Sequence, residues 1–346
     1  MKLLVLGGTR FLGRHVVDAA LARGDQVTVF TRGRQPNPWG AAVTALAGDR
    51  DPAIAPGLAT LERGAWDAVV DTSGYVPRIV RASAQLLAPR VDRYLFVSSL
   101  SVYPDVSRPG LTEAAPVGVL DDPANEEIGK HYGPLKAACE AVVTAVFGGR
   151  AINVRPGLIV GPFDPTDRFG YWVARFVHPG LLGARPAAAV LPAPPERPIQ
   201  FIDARDLAAW MLDLIAAPES GTFNGCSPAR QWTFADLVQT LIAAGGAGAP
   251  RPAWIAEEKL HELKVTPWTG LPLWIPAEME DSGGFMEIDC TRAERSGLRT
   301  RPLAATVADT AAWLARRDNA GAWKDVLSAD AEREVLALGF PPIMPR

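Results

Sequence analysis

Four consecutive apolar residues, Leu3 to Leu6, run straight into Gly7-Gly8-Thr9-Arg10-Phe11-Leu12-Gly13, and few stretches restrict a fold as tightly. An apolar run of this kind suits a strand buried on both faces of a parallel sheet. Gly7 and Gly8 let the chain turn sharply, and a helix is expected from about Phe11, with its free amide groups and positive dipole end facing the turn. A pyrophosphate is the natural occupant of such an end, and Gly13 would let the helix pack closely on the strand. The usual glycine spacings of such a cradle are G-x-G-x-x-G and G-x-x-G-x-x-G, and here Arg10 replaces the middle glycine. Gly7, Thr9, Arg10, Phe11, Leu12 and Gly13 are thus expected to hold a dinucleotide.

The next segments extend this unit. Val16, Val17, Ala20 and Leu21 recur at helical spacing, Gly24 closes the helix, and Val27 to Phe30 forms a second apolar strand. Where an acidic residue would read a ribose 2′-hydroxyl, the chain has Thr31-Arg32-Gly33-Arg34. A guanidinium at Arg32 suits a 2′-phosphate, so NADP is the expected cofactor and NAD the runner-up; the alternative is a solvated basic turn. Gly48-Asp49-Arg50-Asp51 follows a weak third strand, and Trp66 to Val70 leads into Asp71-Thr72-Ser73-Gly74. Ligands collect outside the carboxyl ends of strands in such a sheet. Asp49 and Arg50 are accordingly placed at the adenosine end, with Thr72, Ser73 and Gly74 under the dinucleotide. Asp49 serves equally well as a helix N-cap.

A fifth strand, Tyr94 to Val97, ends in Ser98-Ser99-Leu100-Ser101-Val102-Tyr103, and about thirty residues on comes His131-Tyr132-Gly133-Pro134-Leu135-Lys136. Val97 is expected beside the cofactor. A helix from Tyr132 puts Tyr132 and Lys136 at i and i+4 on one face. A free tyrosine titrates near ~10, and a neighbouring ammonium favours its phenolate. Ser99 would then hold a substrate oxygen. With six lysines in the chain, chance is a poor explanation of the pairing.

These residues, with Val154-Arg155-Pro156-Gly157-Leu158-Ile159-Val160-Gly161-Pro162, resemble the extended short-chain dehydrogenase/reductase superfamily, which also holds NAD-dependent epimerases and dehydratases. The resemblance covers most of the chain. It implies that Tyr132 is the general acid or base, that Lys136 holds the nicotinamide ribose and lowers the tyrosine pKa, and that Ser99 binds the reacting oxygen. Pro156, Gly157 and Ile159 would line the nicotinamide end. It further implies an α/β fold, a Rossmann-type doubly wound parallel sheet with a smaller C-terminal substrate domain. The cofactor domain is expected over 1–162, with about 198–226 returning to it, and 163–346 mainly as the substrate domain.

The expected activity is NADP(H)-dependent reduction of a carbonyl or similar double bond in a small metabolite, or the reverse. An NAD-dependent epimerase acting on a sugar or sugar derivative is the runner-up, since the same three residues serve both. Two departures narrow the substrate. Dehydratases of the superfamily carry acidic residues after the serine position, where this chain has Leu100 and Ser101, and sugar-nucleotide enzymes usually place asparagine at Leu158 and arginine near Ile199. The cradle Gly-Gly-Thr-Arg-Phe also resembles an atypical branch that includes chloroplast RNA-binding proteins. Retention of Tyr132 and Lys136 and a net charge of −3 argue for an enzyme over an RNA-binding module. Helices of this fold often pair in dimers, so a homodimer is a further expectation.

Composition agrees with a globular enzyme: 346 residues, 48% of them apolar, are ample for a core. Cys139, Cys226 and Cys290 are far apart, without metal-ligand spacing, and imply reduced thiols in a cytoplasmic protein with no metal site. The early apolar run is interrupted too soon for an export signal or a membrane span. Pro179 to Pro198 lacks any period and is expected as a long loop or lid. Gly221 to Asn224 is expected as a late strand, and a helix should open near Thr233. Trp254, Trp268 and Trp274, among several prolines over 252–276, either pack on the core or wall a substrate pocket.

Overall fold

A computed structural model describes residues 1–338 except 184–185, 277–278, 280–281, 318–322 and 324–325. Its first half comprises β1 (Lys2–Leu6), α1 (Phe11–Ala22), β2 (Gln26–Thr31), β3 (Val43–Ala47), β4 (Ala68–Asp71), α2 (Pro77–Leu87), β5 (Arg93–Val97), α3 (Ile128–Phe147) and β6 (Ala151–Pro156). There follow β7 (Leu158–Val160), α4 (Arg168–Val177), β8 (Ala188–Pro192), β9 (Pro198–Ile199), β10 (Phe201–Asp203), α5 (Ala204–Ala216), β11 (Gly221–Gly225), β12 (Trp232–Thr233) and α6 (Phe234–Gly245). The chain continues with β13 (Arg251–Ile255), α7 (Glu257–Glu262), α8 (Thr291–Arg295), α9 (Leu303–Leu314) and α10 (Ala329–Ala337).

Seven strands form one parallel sheet in the order β11-β6-β5-β4-β1-β2-β3. This is the doubly wound α/β fold expected from the sequence. Strand order reverses between β1 and β4, and the crevice beyond their carboxyl ends is where such a sheet binds ligands. β1 shows why the apolar run is continuous: Leu3 and Val5 pack into the core under α1 and α5, Leu4 and Leu6 into the core under α2 and α3. Neither face meets water, so alternation with polar residues would cost stability. α5 and β11 lie late in the chain but complete this layer, α5 beside α1 and β11 beside β6.

A second core gathers α4, α6, α9, β8 and β13. α6 starts where expected, with a reciprocal capping box between Thr233 and Asp236. The loop expected over Pro179 to Pro198 requires correction. Ala188–Pro192 is a buried strand paired in parallel with β13, its alanine-rich run hiding the pattern because small residues suffice between two packed layers. Residues 184–185 of that loop, and the end of the expected substrate domain at 339–346, lie outside the described residues. Of the tryptophans, Trp254 and Trp274 are buried and Trp268 half-buried in this core, with the Trp274 indole donating to Glu257 at 2.8 Å. They pack rather than wall a cavity. Among the described residues no helix is long and apolar enough to cross a membrane, and all three cysteines are buried free thiols.

Gly13 is where β1 and α1 come closest. A Cβ there would lie 2.7 Å from the Gly8 nitrogen and 2.8 Å from its Cα, backbone atoms that cannot yield without opening the turn. Gly13→Ala should therefore destabilise the fold by about 1–3 kcal/mol and abolish nucleotide binding. Thermal unfolding and cofactor titration test this, and an unchanged midpoint with intact binding would refute the close-packing argument.

Candidate active site

The turn after β1 holds Gly7 and Gly8 at φ 103° and 96°, conformations that side chains rarely adopt. A Cβ on Gly7 would meet the Thr72 hydroxyl at 2.5 Å. That hydroxyl and Ser73 Oγ both donate to the Leu6 carbonyl, at 3.0 and 3.2 Å, which joins the ends of β4 and β1 beneath the turn. Arg10 is the extended N-cap of α1 and supplies no capping bond, so the first amide groups of the helix face outward unpartnered. A cleft of about 780 Å³ opens over this turn.

Around that one cleft the structure brings together Gly7, Thr9, Arg10, Phe11, Leu12, Gly13, Arg32, Asp49, Arg50, Thr72, Ser73, Val97, Ser99, Tyr132, Lys136, Pro156, Gly157 and Ile159. Gly74 is the exception: it does not border the cleft, and its carbonyl instead accepts from Lys136. Arg50 borders it, but its guanidinium is spent on a buried bidentate pair with Asp71 at 2.6 and 2.7 Å and on Ser83 at 2.8 Å. It braces the end of β4 rather than offering a free charge. Asp49 opens a turn by accepting from the Asp51 amide at 3.0 Å, and caps no helix. The side chains of Arg10, Arg32 and Arg34 make no ion pair or hydrogen bond among the described residues, so the Arg10 guanidinium is not tied to the carbonyls of its loop. A pyrophosphate fits the open helix end, and a further phosphate fits the basic end.

At the other end, α3 is broken at His131 (φ −118°, ψ 28°), so a regular helix effectively starts at Tyr132. Pro134 then sits third in the new first turn, where its missing N–H is no loss. Gly133 lies so close to the loop after β5 that a Cβ would fall 2.0 Å from the Ser101 carbonyl oxygen. This contact sets Tyr132 beside Ser99, whose Oγ donates to Ser101 Oγ at 3.0 Å and accepts from the Ser101 amide at 3.1 Å. Lys136 is buried, and its ammonium donates to the carbonyls of Gly74 at 2.8 Å and Val97 at 2.6 Å. It also lies 4.4 Å from the Phe96 ring centre and 5.0 Å from that of Tyr75.

The electrostatics correct one expectation. Burial lowers Lys136 to about 8 despite the attraction of Asp71. Burial, aided by Tyr75, pushes the Tyr132 phenol above its ordinary value, and only Ser99 opposes this. Lys136 is not among the groups that shift the phenol. Tyr75 went unnoticed in the sequence. Its ring lies 6.3 Å from that of Tyr132 on the cleft wall, and nothing in its local pattern marks it beyond following a strand end.

Beyond β7 the cleft wall includes Pro165. Its neighbour Asp164 is 2% exposed, with one carboxylate oxygen accepting from the amide and hydroxyl of Thr166 at 2.8 Å each and the other without a partner. Burial raises its pKa to about 6. Arg197, two residues before Ile199, is committed to Glu257 and to the carbonyls of Ile275 and Ala193, while Leu158 and Ile199 are buried.

A Rossmann-type sheet with a glycine cradle and a serine, tyrosine and lysine around one cleft defines a nucleotide-dependent enzyme scaffold of the short-chain dehydrogenase/reductase kind. The NAD dependent epimerase/dehydratase family model matches residues 3–225, and the chain belongs to that family. Among curated proteins it is 25% identical over 268 residues to the chloroplast stem-loop binding protein of 41 kDa b of Arabidopsis thaliana, covering 72% of this chain. The chain spans 64% of that relative's length. Among solved structures, the human epimerase family protein SDR39U1 with NADPH superposes with a TM-score of 0.58 at 20% identity, over 90% of this chain and 99% of that one. UDP-glucuronic acid 4-epimerase from Bacillus cereus with NAD gives 0.63 at 13% identity, over 91% and 96%. These two likenesses carry the fold.

Asp164 generates a test in which the sign is definite. Unfolded, its carboxyl titrates near 3.8, and folded near 6, so the native state holds the proton more tightly. Stability is therefore lost as pH rises through that interval, by up to about 3 kcal/mol. Asp164→Asn keeps the acceptor for Thr166 and never ionises. It should raise the unfolding midpoint at about pH 7.5 clearly more than at about pH 4.5; equal shifts at both would contradict the buried, half-satisfied carboxyl.

Proposed function

We propose that this protein is an NADP(H)-dependent oxidoreductase that reduces a carbonyl or similar polar double bond of a small metabolite, or runs the reverse. The observation that carries the reading is a single cleft with Ser99, Tyr132 and Lys136 at one end and the unpartnered Arg10, Arg32 and Arg34 at the other. The nicotinamide of a bound cofactor would supply or accept hydride. Tyr132, a phenol protonated at neutral pH and pushed further up by burial, is suited to give its proton to a substrate oxygen as that oxygen gains charge, and to take it back in reverse. Ser99 Oγ donates a hydrogen bond to the same oxygen once it turns from Ser101. Two of the three N–H bonds of Lys136 are engaged, which leaves one for ribose hydroxyls.

The likeness to a UDP-glucuronic acid 4-epimerase with NAD, and the family itself, favour an epimerase as the second reading, since the same residues would serve a transient oxidation. Against a nucleotide-sugar substrate stand the apolar Leu158 and Ile199 and the committed Arg197. The name of the chloroplast relative raises RNA stem-loops as a ligand, but a chain that only binds RNA has no use for a buried lysine next to a half-buried tyrosine and a serine.

Tyr132→Phe removes only the ionisable hydroxyl. It should lower turnover about 10²–10⁴-fold with cofactor affinity almost unchanged, as read by single-turnover hydride transfer and cofactor titration. Turnover within a few-fold of wild type would sink the assignment.

The cofactor preference has its own measurement. A charge-assisted hydrogen bond contributes about 1.5–3 kcal/mol, so two arginines on one phosphate would favour NADP over NAD by about 10²-fold. Arg32→Ala should lose NADP affinity selectively, and an aspartate at position 32 should reverse the preference. Equal affinities of the wild type for both cofactors would defeat this reading.

A further inference from the structure

Lys136 and Tyr132 have one aromatic neighbour in common. The Lys136 ammonium lies 4.4 Å from the ring centre of Phe96 and 5.0 Å from that of Tyr75, both within reach of a cation–π contact. Phe96 is fully buried in β5, whereas Tyr75 is 41% exposed and borders the cleft. The same Tyr75 ring lies 6.3 Å from the Tyr132 ring, tilted by 39°, in the range of aromatic pairs. Its hydroxyl makes no hydrogen bond among the described residues, so within the protein Tyr75 acts through its ring.

The backbone on both sides fixes where that ring stands. Gly74 is wedged in place: a Cβ there would fall 2.6 Å from a Phe96 ring carbon and 2.8 Å from a Val80 methyl, and its carbonyl is held by Lys136 at 2.8 Å. Val76 is the extended N-cap of α2, with Pro77 opening the helix, and a residue before proline is kept extended. The tyrosine is thus pinned between a hydrogen bond to the lysine itself and the start of a helix.

We propose that Tyr75 is a positioning residue of this site: its ring closes the cleft wall over the Lys136 ammonium and against the Tyr132 ring, and keeps water from both. A dry reacting end strengthens the charge interactions inside it. The inference rests on Ser99, Tyr132 and Lys136 being the reacting end and goes beyond it in adding a fourth side chain.

A cover of this kind disfavours the charged form of each group beneath it, which holds a lysine down and a phenol up. Those are the directions found for Lys136 and Tyr132. The other charged and titratable groups facing Lys136 are Asp71 on β4, Arg50 after β3, and Cys139 and Glu140 on α3 itself; Tyr132 faces Tyr75 and Ser99. A substitution at Tyr75 leaves all of those others in place. Attraction of the ammonium to the Tyr75 ring works the other way, but at 5.0 Å it is weaker than the hydration that water would supply in its place.

The test reads the two side chains directly by NMR, on the whole chain labelled with [15Nζ]lysine and [13Cζ]tyrosine, without substrate or cofactor. Failure of hydride transfer and failure of the cover are therefore separate results. Tyr75→Phe keeps the ring and should leave the water exchange of the Lys136 Nζ protons, and the titrations of Lys136 and Tyr132, as in wild type. Tyr75→Ala should speed that exchange about 10-fold or more. It should also move the Lys136 titration up toward about 10.4 and that of Tyr132 down toward about 10. Tyr75→Leu, which shortens the cover, should act in the same directions by less, and it carries the test should Tyr75→Ala fail to fold. A loosened fold alone would not drive the two titrations in opposite directions. Unchanged exchange and titrations on removing the ring, movement of both titrations in one direction, or loss of wild-type behaviour in Tyr75→Phe would overturn the proposal.

Discussion

The buried ammonium of Lys136 is the contact on which the cleft depends. It gathers the carbonyl of Gly74 from the loop after β4, the carbonyl of Val97 from the end of β5, and the helix α3 on which it rides. A charge taken out of water is costly unless it is hydrogen-bonded, and burial accordingly brings its pKa down to about 8. The two carbonyls offset part of that cost and are themselves satisfied by it. The strand ends below are held by a second buried group, Asp71, which accepts from Arg50, from Tyr94 at 2.7 Å and from the Ser73 amide at 3.0 Å. A third, Glu140, pairs with Arg155 at 2.7 Å and fastens α3 to β6. The floor of the cleft is thus tied together by polar groups that pair almost wholly with protein.

Two glycines then decide how close the working parts come. Gly133 brings α3 onto the carbonyl of Ser101, and Gly13 brings α1 onto the backbone of Gly8. Neither contact is about turn geometry; both are about the space a Cβ would fill. The first sets the distance between the serine loop and the tyrosine, the second the distance between the cradle and its helix.

These features were legible in sequence to the extent that they are local. The cradle is a strand, a turn and a helix within a dozen residues, and Tyr132 and Lys136 share one helical turn, so spacing alone placed them. What depended on distant partners was not legible. Arg50 was placed at the adenosine end because its partner Asp71 ends a strand three positions away across the sheet, and the bond from Lys136 to the Gly74 carbonyl likewise joins residues some sixty apart. The lysine was expected to lower the tyrosine pKa, whereas burial of the phenol works in the opposite direction. β8 was hidden by composition, since Ala188, Ala189 and Val190 carry no alternation when both sides are covered.

The two ends of the cleft differ in how their charge is supported, and this separates two properties. At the basic end the side chains of Arg10, Arg32 and Arg34 stand on the α1 cap and the turn after β2, with no hydrogen bond or ion pair among the described residues. Their donors are open to an anion, and a few turn residues there can change while the sheet stays untouched. At the other end Lys136 is enclosed, two of its donors are used, and its neighbours are strand ends and a helix. Altering it would disturb β4, β5 and α3 together. A fold arranged in this way can vary its anion-facing turns at the edge of the sheet while the serine, tyrosine and lysine stay anchored at its centre.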